Sequence, residues 1–398
     1  MSRDNKIKIG YLTVSEWWGG GLMSLISLLE GLDYEKYQPI VISVISKKTK
    51  GFENFAKEIN RLKVEHIVLK KFIFINEGSP RILRGLFRPL SLIFNIVGTY
   101  NVIKKNKLDI VHSYDGYSNI YGSIATKLAN LPYVYTVHLE ADLDFTGIPW
   151  RFKSLVDLAD KIIPTCFDFL KVANNKSYDL TKFVPIHTGV RDYSTYVVED
   201  SELKFSSGYK IPENDCLLIA LIGRVTEQKG HRYLIEATKN LIKINSSIQI
   251  LLVGSLEDDR NYVLELRELI DINKLHKNVY LTGYCSHMEL LMKRIDILAL
   301  PSLYESVPMV VLEAMQASKA VVASNVGGIS EAVVDFETGF LFPVGNSEML
   351  GSCLARLVCN KELRVEMGKK GYEKTLSKFS LKKMAAAHED VYLKICKK

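Results

Sequence analysis

A basic pair marks the end of a predicted strand in the second half of the chain. The segment reads Leu221-Ile-Gly223-Arg224-Val-Thr-Glu-Gln-Lys229-Gly230, so the apolar run delivers Arg224 and the following turn delivers Lys229. A fixed guanidinium and ammonium at one place suit a diphosphate, because both donate charge-assisted hydrogen bonds to phosphate oxygens. A solvated surface pair has the same spacing, and it would be the preferred interpretation if the pair stood alone.

Two glutamates follow further along the chain, Glu305 and Glu313, on either side of Pro308. Pro308 fits the first turn of a helix, which places Glu305 in the preceding loop and Glu313 more than one turn inside the helix. A loop carboxylate there can accept hydrogen bonds from sugar hydroxyls, a deeper one can bind a ribose diol, and the backbone amides between them can bind phosphate oxygens. The alternative is two solvated glutamates, but the surrounding sequence is strongly apolar, and burying an unpaired carboxylate is costly.

A glycine-rich segment follows the first predicted strand. Ser15-Glu-Trp-Trp-Gly19-Gly20-Gly21 leads into an apolar helix that begins near Leu22. Glycine lets the backbone approach a ligand closely, and the start of a helix favours an anion. The full G-x-G-x-x-G pattern is absent, so a structural tight turn is an equally good interpretation.

These residues depend on elements that alternate along the whole chain. Apolar runs separated by helical patterns predict parallel strands covered on both faces. The predicted strands are Ile7–Val14, Pro39–Ile45, Val64–Leu69, Asp109–His112, Tyr133–His138, Lys161–Pro164, Phe183–Ile186, Cys216–Gly223, Ile248–Gly254, Asn278–Leu281, Ile295–Pro301, Ala320–Ser324 and Gly339–Phe342. The two series predict two Rossmann-like, doubly wound α/β domains, residues 1–195 and 205–379. Such sheets bind ligands at the carboxyl ends of their strands, and two facing sheets would leave a cleft for a site drawn from both domains.

The net charge of +7 is concentrated in one segment. Ten Lys or Arg against two Glu lie between Arg61 and Lys107. Within it, Arg81, Arg84 and Arg88 share one face of a predicted helix beside large apolar residues. Such a helix within residues 81–107 suits an anionic membrane surface, but the sequence alone slightly favours a core-packing helix with a solvated basic side. No nucleic-acid-binding motif accompanies the segment.

Composition narrows the class of protein. The 398 residues are 47% hydrophobic and 24% charged, which excludes disordered and fibrous chains. Six scattered cysteines, no signal peptide and no spanning apolar run predict a cytoplasmic protein with reduced thiols. The histidines show no ligand spacing, so no metal site is predicted. Asp142-Leu-Asp144 imitates a D-x-D metal motif, and we interpret it as part of an acceptor loop.

The motifs occur in an order that resembles one family. Gly223-Arg224 with Lys229-Gly230, Glu305-x7-Glu313, and Val326-Gly-Gly-Ile-Ser-Glu331 with Thr338-Gly339 resemble the retaining GT-B glycosyltransferases of family 4, also called glycosyl transferases group 1. The resemblance is strongest from about residue 215 to 360. In the first half it covers the Gly19-Gly20 loop, Asp109-Ile-Val-His112 and Tyr135-Thr-Val-His138. Ser306-Val307 departs from the family, where Gly-Phe is common.

The resemblance implies roles for these residues. Arg224 and Lys229 would bind the donor diphosphate, Glu305 the donor sugar and Glu313 the nucleotide ribose. His138 would lie beside the transferred sugar, and a C-terminal helix, residues 380–398, would pack back on the first domain. The remaining donor-binding positions are Gly19, Gly20, Gly223, Ser306, Val307 and Pro308.

The resulting hypothesis is a cytoplasmic glycosyltransferase, peripheral at the membrane, that extends a surface polysaccharide on a lipid carrier. It moves a hexose-type sugar from a nucleoside-diphosphate sugar with retention, and it requires no cofactor and no metal. The alternatives are a soluble transferase acting on a small molecule or protein, a catalytically silent nucleotide-sugar-binding subunit, and a nucleotide-sugar epimerase.

Overall fold

The computed structural model describes residues 6–16, 19–70, 81–138, 158–192, 203–212, 216–285 and 287–396, and of residues 81–89 it describes the backbone alone. The chain divides into two units. The N-terminal unit comprises Met1–Gly189 and Leu381–Lys398, and the C-terminal unit comprises Val190–Ser380. Each unit contains one parallel six-stranded sheet, which confirms the predicted α/β class with two doubly wound sheets.

The N-terminal sheet carries the glycine segment at its centre. Its strands are β1 (Ile7–Thr13), β2 (Tyr37–Ile45), β3 (Glu65–Lys70), β4 (Ile110–Ser113), β5 (Tyr133–Val137) and β6 (Lys161–Pro164), in the order β3-β2-β1-β4-β5-β6. Because β2 and β4 both pair with β1, the strand order reverses there. The loops that follow β1 and β4 therefore lie at the topological switch point, where open α/β sheets bind ligands.

Polar side chains cap the N-termini of two helices of this unit. The helices are α1 (Gly20–Gly31), α2 (Lys50–Arg61), α3 (Arg81–Asn106), α4 (Gly116–Ala129) and α5 (Asp168–Asn175). Thr49 caps α2 by accepting a hydrogen bond from the amide of Phe52, and Asp115 caps α4 through the amide of Ser118. Each cap satisfies an amide that the helix itself leaves without a partner.

The predicted seventh strand of the first half, Phe183–Ile186, is wrong. The segment forms one isolated bridge, between Phe183 and Ile162, and no strand. The amides of Val184 and Ile186 still donate hydrogen bonds to two carbonyls of β6, those of Ile162 and Pro164. Pro185 lies between them on the side that faces away from β6, where the edge of a sheet tolerates a residue without an amide hydrogen.

The C-terminal unit has the same plan with an aliphatic core. Its strands are β7 (Leu218–Ile222), β8 (Gln249–Val253), β9 (Val279–Gly283), β10 (Ile297–Leu300), β11 (Ala320–Ser324) and β12 (Gly339–Phe342), in the order β12-β11-β10-β7-β8-β9. Its helices are α6 (His231–Ile244), α7 (Arg260–Ile272), α8 (Met288–Arg294), α9 (Met309–Gln316), α10 (Ile329–Ala332), α11 (Ser347–Cys359) and α12 (Lys361–Lys378). The switch point lies between β7 and β10, and the loops after these strands carry the predicted basic pair and Glu305.

The last helix, α13 (Leu381–Cys396), belongs to the N-terminal unit and packs against α1. A Cβ at Gly31 would lie 2.7 Å from the carbonyl oxygen of Leu381, so the two backbones approach closely. Tyr392 hydrogen-bonds His112 Nδ1 at 2.8 Å and Tyr11 at 3.1 Å. Burial lowers the pKa of His112 well below its ordinary value, so its imidazole is neutral within this network.

No helix in the part of the chain that the structure describes is long and apolar enough to cross a membrane.

Candidate functional site

The loop after β7 folds back against the loop after β10. Gly230 has a φ of 70°, and a Cβ there would lie 1.9 Å from the carbonyl oxygen of Pro301. Leu303 donates its amide to the carbonyl of Gln228 at 2.8 Å, and Gln228 Nε2 donates to the carbonyl of Tyr304 at 3.1 Å. Glycine at 230 therefore permits the approach, and Gln228 fixes the two loops to each other.

Lys229 and Glu305 form an ion pair where these loops meet. Lys229 Nζ contacts Glu305 Oε1, and the two side chains are 14% and 7% exposed. Ser302 Oγ donates to the same carboxylate oxygen at 2.9 Å. Two residues that the family resemblance assigned to different parts of the donor are thus in direct contact, largely shielded from water.

Arg224 lies at the exposed side of this loop. Its Nη2 donates to Gln228 Oε1 at 3.3 Å. A Cβ at Gly223 would lie 3.2 Å from Lys229 Cε, so the lysine stem crosses Gly223 next to Arg224. The predicted cations therefore occupy one turn, with the Lys229 side chain largely buried and the Arg224 side chain exposed to solvent.

The segment after Glu305 differs slightly from the prediction. Pro308 precedes α9 as the N-cap residue with extended backbone, and the helix begins at Met309. Ser306 is half-buried, Val307 is 4% exposed, and no side chain caps α9. Glu313 is the fifth residue of α9 and is 9% exposed, so it is more than a turn inside the helix, as the sequence indicated.

The predicted residues of the N-terminal unit also come together. Gly19 and Gly20 are exposed, and Gly19 is the N-cap residue of α1. A Cβ at Gly21 would lie 3.7 Å from His138 Cδ2, so the imidazole lies over the first turn of α1. Burial lowers the pKa of His138 to about 4, so the ring is neutral near pH 7.

Sequence reasoning missed several positions around Glu305. Ser302, which donates to its carboxylate, lies in a segment whose function was read only from the glutamates. Gly327 has a φ of 50°, and a Cβ there would lie 1.8 Å from the carbonyl oxygen of Glu305. Gln228 was equally unassigned. For Ser302 and Gln228 the only signal in the sequence was that they follow strand ends, whereas Gly327 was part of the Val326–Glu331 motif that carries the family resemblance.

Two predictions concern residues with metal-binding chemistry. Asp142 and Asp144 lie outside the described residues. Within the described residues, no group of three or more His, Cys, Asp or Glu side chains is arranged to hold a metal ion.

A family model described as "Glycosyl transferases group 1" matches residues 205–374, nearly all of the C-terminal unit. By its sequence, the C-terminal unit belongs to this family. A relative that spans both units is the Escherichia coli UDP-Gal:alpha-D-GlcNAc-diphosphoundecaprenol alpha-1,3-galactosyltransferase, 27% identical over 327 residues, with 77% of this chain and 82% of the relative covered. The Staphylococcus aureus capsular polysaccharide biosynthesis glycosyltransferase CapM is 26% identical over 167 residues, with 42% of this chain and 43% of the relative covered.

The same architecture occurs in a solved structure, that of Anabaena Alr3699/HepE in complex with UDP. It matches 98% of this glycosyltransferase and 100% of its own chain with a TM-score of 0.75 at 18% identity. The predicted GT-B fold is therefore confirmed, and so is the predicted membership of the group 1 glycosyltransferases.

Proposed function

We propose that this glycosyltransferase moves a hexose-type sugar from a nucleoside-diphosphate sugar to a hydroxyl of a glycan acceptor, with retention of configuration. The proposal depends on one observation: Arg224, Lys229 and Glu305 lie together at the switch point of the C-terminal sheet. A guanidinium and an ammonium offer the donors that a diphosphate needs, and a carboxylate accepts hydrogen bonds from sugar hydroxyls. The UDP bound to Alr3699/HepE and the UDP-Gal of the Escherichia coli relative support a uridine donor as the first to test.

Each residue has a role in this proposal. Arg224 and Lys229 bind the diphosphate and stabilise the charge that develops on it as the glycosidic bond breaks. Glu305 binds hydroxyls of the donor sugar, and Glu313 binds the ribose. His138, neutral near pH 7, contacts the transferred sugar as a hydrogen-bonding group. The backbone positions assigned to the donor are Gly19, Gly20, Gly223, Ser306, Val307 and Pro308.

The chemistry in this proposal requires no nucleophile from the protein. The leaving diphosphate takes the proton of the acceptor hydroxyl on the same face of the sugar, and this gives retention. Two fixed cations supply the charge stabilisation, so we propose that the enzyme needs neither a metal nor a cofactor.

A donor screen with a transfer assay tests the proposal. Purified protein is heated with UDP-, ADP-, GDP- and TDP-sugars, and a donor that binds raises the unfolding temperature through RT ln(1 + [L]/Kd). Mass spectrometry then follows transfer to glycan acceptors and hydrolysis of the donor. We expect Lys229→Met to abolish the thermal shift and Lys239→Met, a change at an exposed lysine of α6, to preserve it. Stabilisation without transfer or hydrolysis by any donor would favour the silent binding subunit.

We further propose that the acceptor is lipid-linked, in surface or capsular polysaccharide biosynthesis, and that the enzyme works at the cytoplasmic face of the membrane. The name of the Escherichia coli relative specifies a diphosphoundecaprenol acceptor, and the name of CapM specifies capsular polysaccharide. The cysteines in the described residues are free thiols, as is typical of a reducing compartment.

The exposed face of α3 supports attachment to the membrane. Four apolar side chains at helical spacing are 44–54% exposed: Leu90, Ile93, Phe94 and Val97. On the opposite face Asn95 and Thr99 are buried, so along residues 90–99 the exposed side of the helix is apolar while its buried side carries polar groups. The same exposed face continues to Lys104 and Lys105. Apolar side chains followed by lysines fit an interface of acyl chains and anionic headgroups. The structure describes only the backbone of residues 81–89, so the side chains of Arg81, Arg84 and Arg88 are outside the described part.

Vesicle flotation tests this attachment. We expect the protein to float with vesicles of phosphatidylglycerol and phosphatidylcholine, and less with phosphatidylcholine alone. Ile93→Asp with Val97→Asp should weaken binding about 30-fold, because two half-exposed side chains contribute roughly 1 kcal/mol each. Leu128→Asp, at an apolar residue of α4 that is 65% exposed, is the matched control. Equal loss in both variants, or no flotation of the wild type, would refute the attachment and leave the donor assignment standing.

A further inference from the structure

The carboxylate of Glu305 receives both of its recorded protein hydrogen bonds on one oxygen. Lys229 Nζ and Ser302 Oγ both donate to Oε1, the latter at 2.9 Å. Among the described residues, no hydrogen bond or ion pair is recorded to Oε2. One oxygen is thus used within the protein, and the other is left for a further donor.

The backbone around Ser302 is fixed from both sides. Ser302 has no exposed surface, and its carbonyl accepts a hydrogen bond from Ser324 Oγ at 2.5 Å. Gly327 lies against the carbonyl of Glu305, so closely that no larger residue fits without movement. Ser302 is therefore a rigidly placed donor, whereas Lys229 reaches Glu305 through a flexible four-carbon stem.

We propose that Ser302 is the positioning residue that holds Glu305 for the donor sugar. The inference rests on the proposed function, in which Lys229 binds the diphosphate. When the Lys229 ammonium moves to bind the diphosphate, Glu305 loses its ion-pair partner. Ser302 then remains the hydrogen-bond donor to Oε1. The carboxylate then keeps its place, and Oε2 accepts a hydroxyl of the sugar. Ser302 acts through Glu305 and contacts no reacting atom.

This role predicts an effect on one part of the donor. Removing the hydroxyl of Ser302 should weaken the binding of the sugar part of the donor and leave the affinity for the nucleoside diphosphate unchanged. A hydrogen bond to a charged group corresponds to about 10- to 100-fold in affinity. A merely structural role would weaken the binding of both parts equally.

Titration calorimetry on the full chain separates these cases. The probes are three matched pairs, UDP with UDP-galactose, ADP with ADP-glucose and GDP with GDP-mannose. For the pair that the wild type binds, Ser302→Ala should keep the nucleoside-diphosphate Kd within about twofold and weaken the sugar-nucleotide Kd about 10- to 100-fold. Ser302→Thr, which keeps a hydroxyl, should recover most of the sugar affinity. Thr238→Val removes a fully buried hydroxyl that donates to the carbonyl of Leu234 within α6. This variant is the control for a nonspecific loss of stability in the unit.

The outcomes distinguish the two proposals. Equal weakening of both ligands by Ser302→Ala, or no change in either, overturns the role of Ser302 while the donor site stands. If the wild type binds none of the six ligands, the proposed function fails and the role of Ser302 fails with it.

Discussion

Removing Lys229 should destabilise the C-terminal unit more than removing both charges of its ion pair. In Lys229→Met the carboxylate of Glu305 stays in a site where its side chain is 7% exposed, with Ser302 as its remaining recorded donor. An uncompensated buried charge costs about 3–5 kcal/mol, and the bond from Ser302 places the expected loss near the lower end, at about 3 kcal/mol. In Lys229→Met with Glu305→Gln no unpaired charge is left buried, so the expected loss in the free energy of unfolding is about 1 kcal/mol.

The magnitude is large enough to measure. The C-terminal unit spans Val190–Ser380, and for domains of this size 1 kcal/mol shifts the unfolding temperature by about 2–4 °C. We expect a fall of about 6–12 °C in the single variant and about 2–4 °C in the double variant. Circular dichroism follows both units, and hydrogen exchange measured by mass spectrometry on peptides from Val190–Ser380 reports the C-terminal transition separately.

Lys239→Met is the matched control, because this lysine is exposed on α6 and should shift the transition little. Equal destabilisation by the single and the double variant would refute the reasoning, since it would mean that Glu305 is not a desolvated charge held by Lys229.

Three further predictions concern Arg224, Gly230 and two buried histidines of the N-terminal unit. Arg224→Met should leave stability within about 0.5 kcal/mol, because Arg224 is exposed, and lower the transfer rate about 10²–10³-fold in steady-state kinetics; a large stability loss would contradict this. Gly230→Ala should destabilise the C-terminal unit by about 2–4 kcal/mol in urea unfolding, combining positive φ with a clash at Pro301, whereas Gly208→Ala, at a φ of 79° with open space around it, should cost about 1 kcal/mol. Burial lowers the pKa of His138 and of His388 to about 4, so the unfolded chain binds protons first, and stability of the N-terminal unit should fall as pH decreases from about 6.5 to 4, by about 3 kcal/mol per histidine. His388→Leu should lower the acid midpoint of the N-terminal unit, followed by hydrogen exchange of its peptides, and an unchanged midpoint would contradict the assignment.

The strand pattern was readable from sequence because buried parallel strands are apolar on both faces. All six strands of the C-terminal sheet occur where they were predicted, within a few residues at each end. The sequence also placed Lys229 and Glu305 at strand ends, and the carboxyl ends of parallel strands meet at one edge of a sheet. The contact between Lys229 and Glu305 therefore follows from the strand topology.

The parts that could not be predicted depend on backbone approach and side-chain direction. That Gly230 touches Pro301, and that Ser302 and Lys229 share one oxygen of Glu305, follows from three-dimensional placement and not from spacing. The α3 segment predicted a helix with an apolar and a basic face, but only the structure shows that Ile93 points to solvent while Thr99 is buried. Propensity cannot tell which face a neighbour covers.

The most direct test of the central claim compares UDP with UMP in titration calorimetry, since the two ligands differ by the β-phosphate. In the wild type UDP should bind more tightly than UMP, because Arg224 and Lys229 each donate charge-assisted hydrogen bonds to the diphosphate. In Arg224→Met with Lys229→Met we expect UDP affinity to fall about 10²–10⁴-fold and the advantage over UMP to disappear, while Lys239→Met keeps both. An undiminished preference for UDP in the double variant would contradict the account.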